Sequence, residues 1–313
     1  MLGKTGNGLF WMYRYLERAE NNARLIETGQ RISLTRTGAA EDDWMPVLQT
    51  TGANAGYSDK HSEVSKDTAI DWMLRDPDNP SSVRSAIEAA RLNARMVRTA
   101  LTAEVWSAMN GCYIDVKQAL TRKVNERDLP SVLGLVRQRT ALVRGATHGT
   151  MLRNDMYDFA RLGTFLERAD NTARILDTKY YVLLPTSAPV GSQLDNVQWG
   201  TILRSVSGES GYRKVYGQKV RPRDITTFLI LDLRMPRSLN FCCSKLRDNL
   251  GYLATDYGAR PASFGMADGL CRRFMSHDVD AIFEYGLHQY IQDIVSALYE
   301  LGHQIEVDYR FFA

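Results

Sequence analysis

The chain has 313 residues, 44% of them hydrophobic, which is enough to bury a sizeable core and excludes a disordered polymer. Lys and Arg (39) nearly balance Asp and Glu (36), so the net charge of +3 gives no electrostatic case for a nucleic-acid or membrane partner. The apolar run Phe228-Leu229-Ile230-Leu231 is far too short to span a bilayer, the N-terminus lacks a signal-peptide pattern, and a cytoplasmic protein is expected.

After a glycine-bearing lead-in (Gly3, Gly6, Gly8), Met12, Leu16, Ala19, Ala23 and Ile26 recur at helical spacing, and Gly29 is suited to close the helix. The polar segment to Asp43 reads as a loop. Trp44-Met45-Pro46-Val47-Leu48 opens a short helix, and a turn at Gly52 to Gly56 leads to Tyr57; Tyr57 and Tyr212 are expected to anchor turns. Asn79-Pro80-Ser81-Ser82 starts a long helix that runs to about Trp106. A connection over 122–130 precedes a helix from Ser131, and Asn154 or Asp155 caps the next, which ends near Leu184-Pro185. Met235-Pro236-Arg237-Ser238 starts a helix to Tyr257, and residues 279–304 are again helical in period. No β alternation is present. An all-α bundle of about a dozen helices is expected.

The chain also repeats itself. Tyr15-Leu16-Glu17-Arg18-Ala19-Glu20-Asn21-Asn22-Ala23-Arg24 returns 150 residues later as Phe165-Leu166-Glu167-Arg168-Ala169-Asp170-Asn171-Thr172-Ala173-Arg174. Trp44 and Tyr57 are matched by Trp199 and Tyr212, and Pro80-Ser81-Ser82 by Pro236-Arg237-Ser238. Two related helical halves follow, residues 1–150 and 151–313, packed as one unit. Ser81 stands where the second half has Arg237, so the halves are not equivalent there.

On a helix, Glu17, Asn21, Arg24 and Thr28 fall within about 60° of one another. Glu167, Asn171, Arg174 and Thr178 reproduce the stripe with identical residues, whereas Glu20 and Glu27 become Asp170 and Asp177. A solvated face gives no reason for such identity, so the stripes are expected inside the protein, paired and hydrogen-bonded, with the Asn amides completing the network. Two arrangements satisfy this. In one, Glu17 and Glu167 pair with arginines of neighbouring helices and fix helix register. In the other, the stripes face each other across a polar cleft. There Arg18, Arg24, Arg168 and Arg174 hold a substrate carboxylate, while the Glu residues hold its amino group or act as acid or base. Arg153 and Arg237 join the candidate binding set.

Other chemistry is sparse. Cys112, Cys242, Cys243 and Cys271 have no CxxC spacing and read as buried thiols; the five histidines form no metal-ligand pattern. No metal and no cofactor are expected. Gly3-Lys4-Thr5-Gly6 lacks the strand and upstream glycine of a P-loop, so this chain is not expected to bind ATP itself.

Trp11-Met12-Tyr13-Arg14-Tyr15-Leu16-Glu17-Arg18-Ala19-Glu20-Asn21-Asn22-Ala23-Arg24, Thr150-Met151-Leu152-Arg153, Leu166-Glu167-Arg168-Ala169-Asp170 and Pro236-Arg237-Ser238 together resemble the bacterial alpha-E family over essentially the whole chain. The resemblance implies an all-helical protein encoded beside, or fused to, a circularly permuted ATP-grasp ligase, often with a transglutaminase-like protein. Those two are the implied partners, in a peptide-modifying or amide-forming system where this chain would be an accessory or substrate-binding component. An independent amide-handling enzyme using Glu17 or Glu167, and a purely structural interaction protein, are the alternatives. The resemblance carries no catalytic residues.

Overall fold

Two long helices form the centre. α1 (Gly3–Ser33) and α8 (Asp155–Leu183) carry the two copies of the repeated string and make the most extensive helix contact of the computed structural model, which describes residues 3–33, 44–183 and 193–312. They approach closely because α8 has Gly163 at the crossing: a Cβ there would stand 2.1 Å from the Phe10 carbonyl oxygen. Ala19, Ala23, Ala169 and Ala173, all buried, keep the helix surfaces shallow.

The remaining helices wrap this pair. The first half supplies α2 (Met45–Thr50), α3 (Asn54–Lys60), α4 (Lys66–Leu74), α5 (Val83–Met96), α6 (Ala103–Ala119) and α7 (Leu129–Thr150). The second supplies α9 (Gln193–Ser205), α10 (Glu209–Tyr216), α11 (Pro222–Ile230), α12 (Leu239–Tyr257), α13 (Ala262–Ser276), α14 (Val279–Tyr285) and α15 (Leu287–Asp308). α5 and α7 pack on α1, α12 and α15 pack on α8, and α2 and α9 reach across to the central helix of the other half. Fifteen α-helices and no strand occur among the described residues, and none of these helices is long and apolar enough to cross a membrane.

Several boundaries differ from the sequence pattern. α1 begins at Gly3, so the glycines of the supposed lead-in are helical. It also runs through Gly29 to Ser33: Gly29 does not close the helix but lets the Trp44 ring approach, since a Cβ there would meet that ring at 3.0 Å. The long helix expected to Trp106 ends at Met96, because Thr102 caps a new helix by accepting the Val105 amide. Pro80 and Pro236 lie just ahead of their helices, whose N-caps are Ser82 and Ser238. Gly286, at φ +100°, divides the C-terminal run into α14 and α15.

Other expectations hold. Asn154 accepts the Tyr157 amide at the start of α8. Tyr57 and Tyr212 anchor the turns after them by donating their hydroxyls to the carbonyls of Glu63 and Lys219. The loop up to Asp43, the Leu184-Pro185 boundary and the side chain of Thr178 lie outside the described residues.

Candidate functional site

Adjacent Glu and Arg residues on a helix point about 100° apart and cannot pair with each other. In α1 and α8 they pair across the helix contact. Arg18 donates Nε and Nη2 to the two Glu167 oxygens at 2.7 and 3.2 Å, and Arg168 donates Nη2 and Nε to the two Glu17 oxygens at 2.5 and 3.2 Å. These are bidentate charge-assisted contacts to buried carboxylates, in which geometry and strength both benefit. Glu17 is fully buried and Glu167 nearly so.

The two ends of the network differ. Around Glu17, Arg144 of α7 stands at 3.2 Å and Arg237, from the turn before α12, at 3.5 Å. Both also pair with Glu20, Arg237 at 2.7 Å. Glu20 takes further contacts from Arg24 at 2.7 Å and from the Thr140 hydroxyl at 3.0 Å. Four guanidiniums thus enclose two carboxylates. Burial opposes ionisation of Glu17, but Arg168, Arg144 and Arg237 outweigh it and hold the carboxyl well below the usual range. Burial and the neighbouring Arg168 bring Arg237 down to about 10, against the pull of Glu17 and Glu20.

Around Glu167 the network opens. Arg14 donates Nε to Glu167 at 2.9 Å and stacks over Trp11 at 4.6 Å from the ring centroid. Arg14 and Arg18 line a groove of about 400 Å³ between α1, α8 and α15, with Leu166, Arg174, Leu298 and Tyr299 among its walls. Tyr299 is 80% exposed at this groove. The carboxylates of the groove are committed, Asp170 to Arg174 at 2.8 Å and Glu306 to the Trp11 indole N–H at 3.1 Å. Burial works against ionisation of Glu167, yet Arg18 and Arg14 hold it at about 2.

The candidate residues therefore separate. Glu17, Arg18, Asn21, Arg24, Glu167, Arg168 and Arg237 meet at the α1–α8 contact, and Arg174 lies at the groove. Arg153 is elsewhere, over the Tyr157 ring at 4.1 Å and bonded to the Met151 and His148 carbonyls. The Asn amides join the network only in part: Asn21 Oδ1 accepts from Arg237 at 3.3 Å, while Nδ2 of both Asn21 and Asn171 has no hydrogen-bond partner among the described residues. Glu20 stands outside the identical stripe, since its counterpart is Asp170. It is nevertheless as buried as Glu17, covered by Arg24, Arg144, Arg237 and the Thr140 hydroxyl.

The profile of the Alpha-E family, described as a predicted alpha-helical domain with a conserved ER motif, matches residues 1–310. The chain belongs to the Alpha-E family. It is also 25% identical, over 93% of its length, to uncharacterized proteins of Mycobacterium bovis and of two strains of Mycobacterium tuberculosis. The match covers 34% of each of those proteins, so the chain spans about a third of the length of these curated relatives. No solved structure matches it.

For this Alpha-E chain the two Glu-Arg dipeptides are thus reciprocal partners. Arg14 and Arg144, which are absent from the candidate set read off the sequence, belong to the same network. Arg14 sits one turn before Arg18, a spacing that could have revealed it; Arg144 comes from a distant helix and left no comparable signal.

Proposed function

We propose that the chain is the substrate-binding, accessory component of an ATP-grasp-associated system that modifies peptides or forms amide bonds. The observation that carries this reading is the pair Arg14 and Arg18. Both are anchored on one buried carboxylate, and together they hold two guanidiniums preset at the groove. A substrate carboxylate placed against them would pair with both guanidiniums, with its apolar body against the exposed Tyr299 ring. Preset arginines bind such a group with little reordering, which favours affinity.

Glu17 and Glu167 serve this reading as anchors. A carboxylate held near or below about pH 2 and occupied by guanidiniums is a poor general base at neutral pH. That weighs against the independent-enzyme alternative built on these residues. The Glu17 end, closed by Arg144, Arg168 and Arg237, fits a purely structural role, so the two ends of the network divide recognition from scaffolding. The extra length of the mycobacterial relatives is compatible with an Alpha-E segment working alongside further domains.

The test is to purify the chain with its neighbouring ATP-grasp ligase and follow ATP consumption over a panel of peptides and amino acids. The proposal expects the chain to raise turnover or narrow specificity, and Arg14→Ala to remove that effect while the protein stays folded. A ligase with the same activity and specificity in the absence of this chain overturns it.

A further inference from the structure

A second cavity, of about 490 Å³, lies between the start of α8 and α12, and shares no lining residue with the Glu167 groove. Its charges are unusual in being left open. Lys245 and Asp248 pair with each other at 3.0 Å, but Arg161 and Asp158 make no side-chain hydrogen bond or ion pair with any described residue. Asp158 is 5% exposed and Arg161 is half-buried. Buried charges are ordinarily paired, so two unpaired ones in one cavity call for an explanation.

Asp158 and Arg161 are three residues apart on α8, a spacing that would let them form an ion pair. Instead the Arg161 guanidinium lies over the Phe165 ring, 4.3 Å from its centroid, with the Tyr157 ring at 5.8 Å. Arg153, fixed on the Tyr157 ring and on two carbonyls, adds a second guanidinium without a carboxylate. Asp256, exposed on α12, adds a second carboxylate. Tyr252, 60% exposed, offers an aromatic surface beside them.

We infer that this cavity binds a small zwitterion of amino-acid or short-peptide size, its carboxylate on Arg161 and Arg153 and its ammonium on Asp158 and Asp256. The volume exceeds what a single small amino acid fills and suits a dipeptide. Burial, reinforced by Asp256 and Asp155, pushes the Asp158 carboxyl up to about 7, and an ammonium beside it would favour the charged form again. Binding here does not depend on the proposed role of the groove, because it uses different residues.

Calorimetric titration of the full chain with Ala-Phe, N-acetyl-Ala-Phe, Ala-Phe amide and free phenylalanine tests it. Ala-Phe is expected to bind saturably, and masking either terminus is expected to weaken binding by at least about tenfold. Free phenylalanine binding as well as Ala-Phe would assign the site to amino acids, still a zwitterion. Arg161→Met is expected to abolish the preference for a free carboxylate, and Asp158→Asn the preference for a free amine, each with an unchanged helical spectrum. Equal binding of masked and free peptides, no saturable binding at millimolar concentrations, or unchanged preferences in Arg161→Met and Asp158→Asn would overturn the inference, and the ligand comparison needs no variant to fold.

Discussion

Arg168 reaches from α8 to α1 and donates Nη2 to Glu17 Oε1 at 2.5 Å, and the Glu17 carboxylate is fully buried. Removing the Glu17 charge leaves Arg144, Arg168 and Arg237 without part of their compensation. Breaking a buried ion pair at one partner costs on the order of 3–5 kcal/mol. Glu17→Gln is expected to cost that much in urea denaturation. Glu167→Gln should cost less, because Arg14 and Arg18 keep 18% and 24% side-chain exposure and can rehydrate. Equal losses would contradict the burial argument.

The sequence made the all-helical class legible, and it singled out Glu17, Glu167 and Arg237, which the structure brings to the α1–α8 contact, because helical period and repeated polar identity are local signals. It did not disclose Glu20 or Arg144. Identity between halves marks residues that play the same part twice, and Glu20 meets a set of arginines that Asp170 does not. Gly29 misled for a related reason: a glycine needed for the approach of Trp44 looks, in sequence, like one that ends a helix.

The depressed carboxyls fix the acid limb of stability. Glu17 and Glu167 ionise at lower pH in the folded chain than in the unfolded one, where Glu titrates near about 4.3. Below that value the unfolded chain binds more protons, so stability falls as pH drops toward about 2 and is fully present above about 4.5. Denaturation midpoints measured from pH 6 down to pH 2, values spanning roughly this window, should show the fall. Glu167→Gln should be flatter there than the parent.

Asp158 acts with the opposite sign. Its folded pKa, pushed up to about 7, lies above the unfolded value, so the folded chain holds the extra proton. The stability it contributes is full below about pH 3.9 and is lost as pH rises through about 7. Asp158→Asn removes this loss. The variant is expected to be more stable than the parent above neutrality, by on the order of 1–2 kcal/mol once solvent screening at the cavity mouth is allowed for. A parent that is equally stable or more stable at high pH would show that Asp158 is already ionised without cost.

The cysteines give a kinetic prediction. All four are buried and free; burial pushes Cys112 and Cys242 up to about 12 and Cys271 to about 11. The thiolate is the reactive form, so labelling at mildly alkaline pH requires the chain to open. Iodoacetamide is expected to modify none of them in the folded protein and all four in denaturant. Fast labelling of Cys242, which lies near Arg168 and Arg237, would instead reveal opening of the network itself.

Two glycines test what holds the central helices together. Gly145, exposed on α7 with open space around it, should accept Ala, and relief of the glycine penalty should stabilise the chain by up to about 1 kcal/mol. Gly163 has no such room. Its Cβ would fall 2.1 Å from the Phe10 carbonyl oxygen, a backbone atom that no rotamer change can move. Gly163→Ala must therefore push α1 and α8 apart. Overpacking of a core ordinarily costs about 1–3 kcal/mol. Here the same displacement also lengthens the Arg18–Glu167 and Arg168–Glu17 contacts, which demand short, aligned geometry. The loss is expected to exceed that range, and to shrink in a Glu17→Gln background where one of those contacts is already gone. Additive losses in the double variant would mean that the helix crossing and the ion pairs are energetically separate.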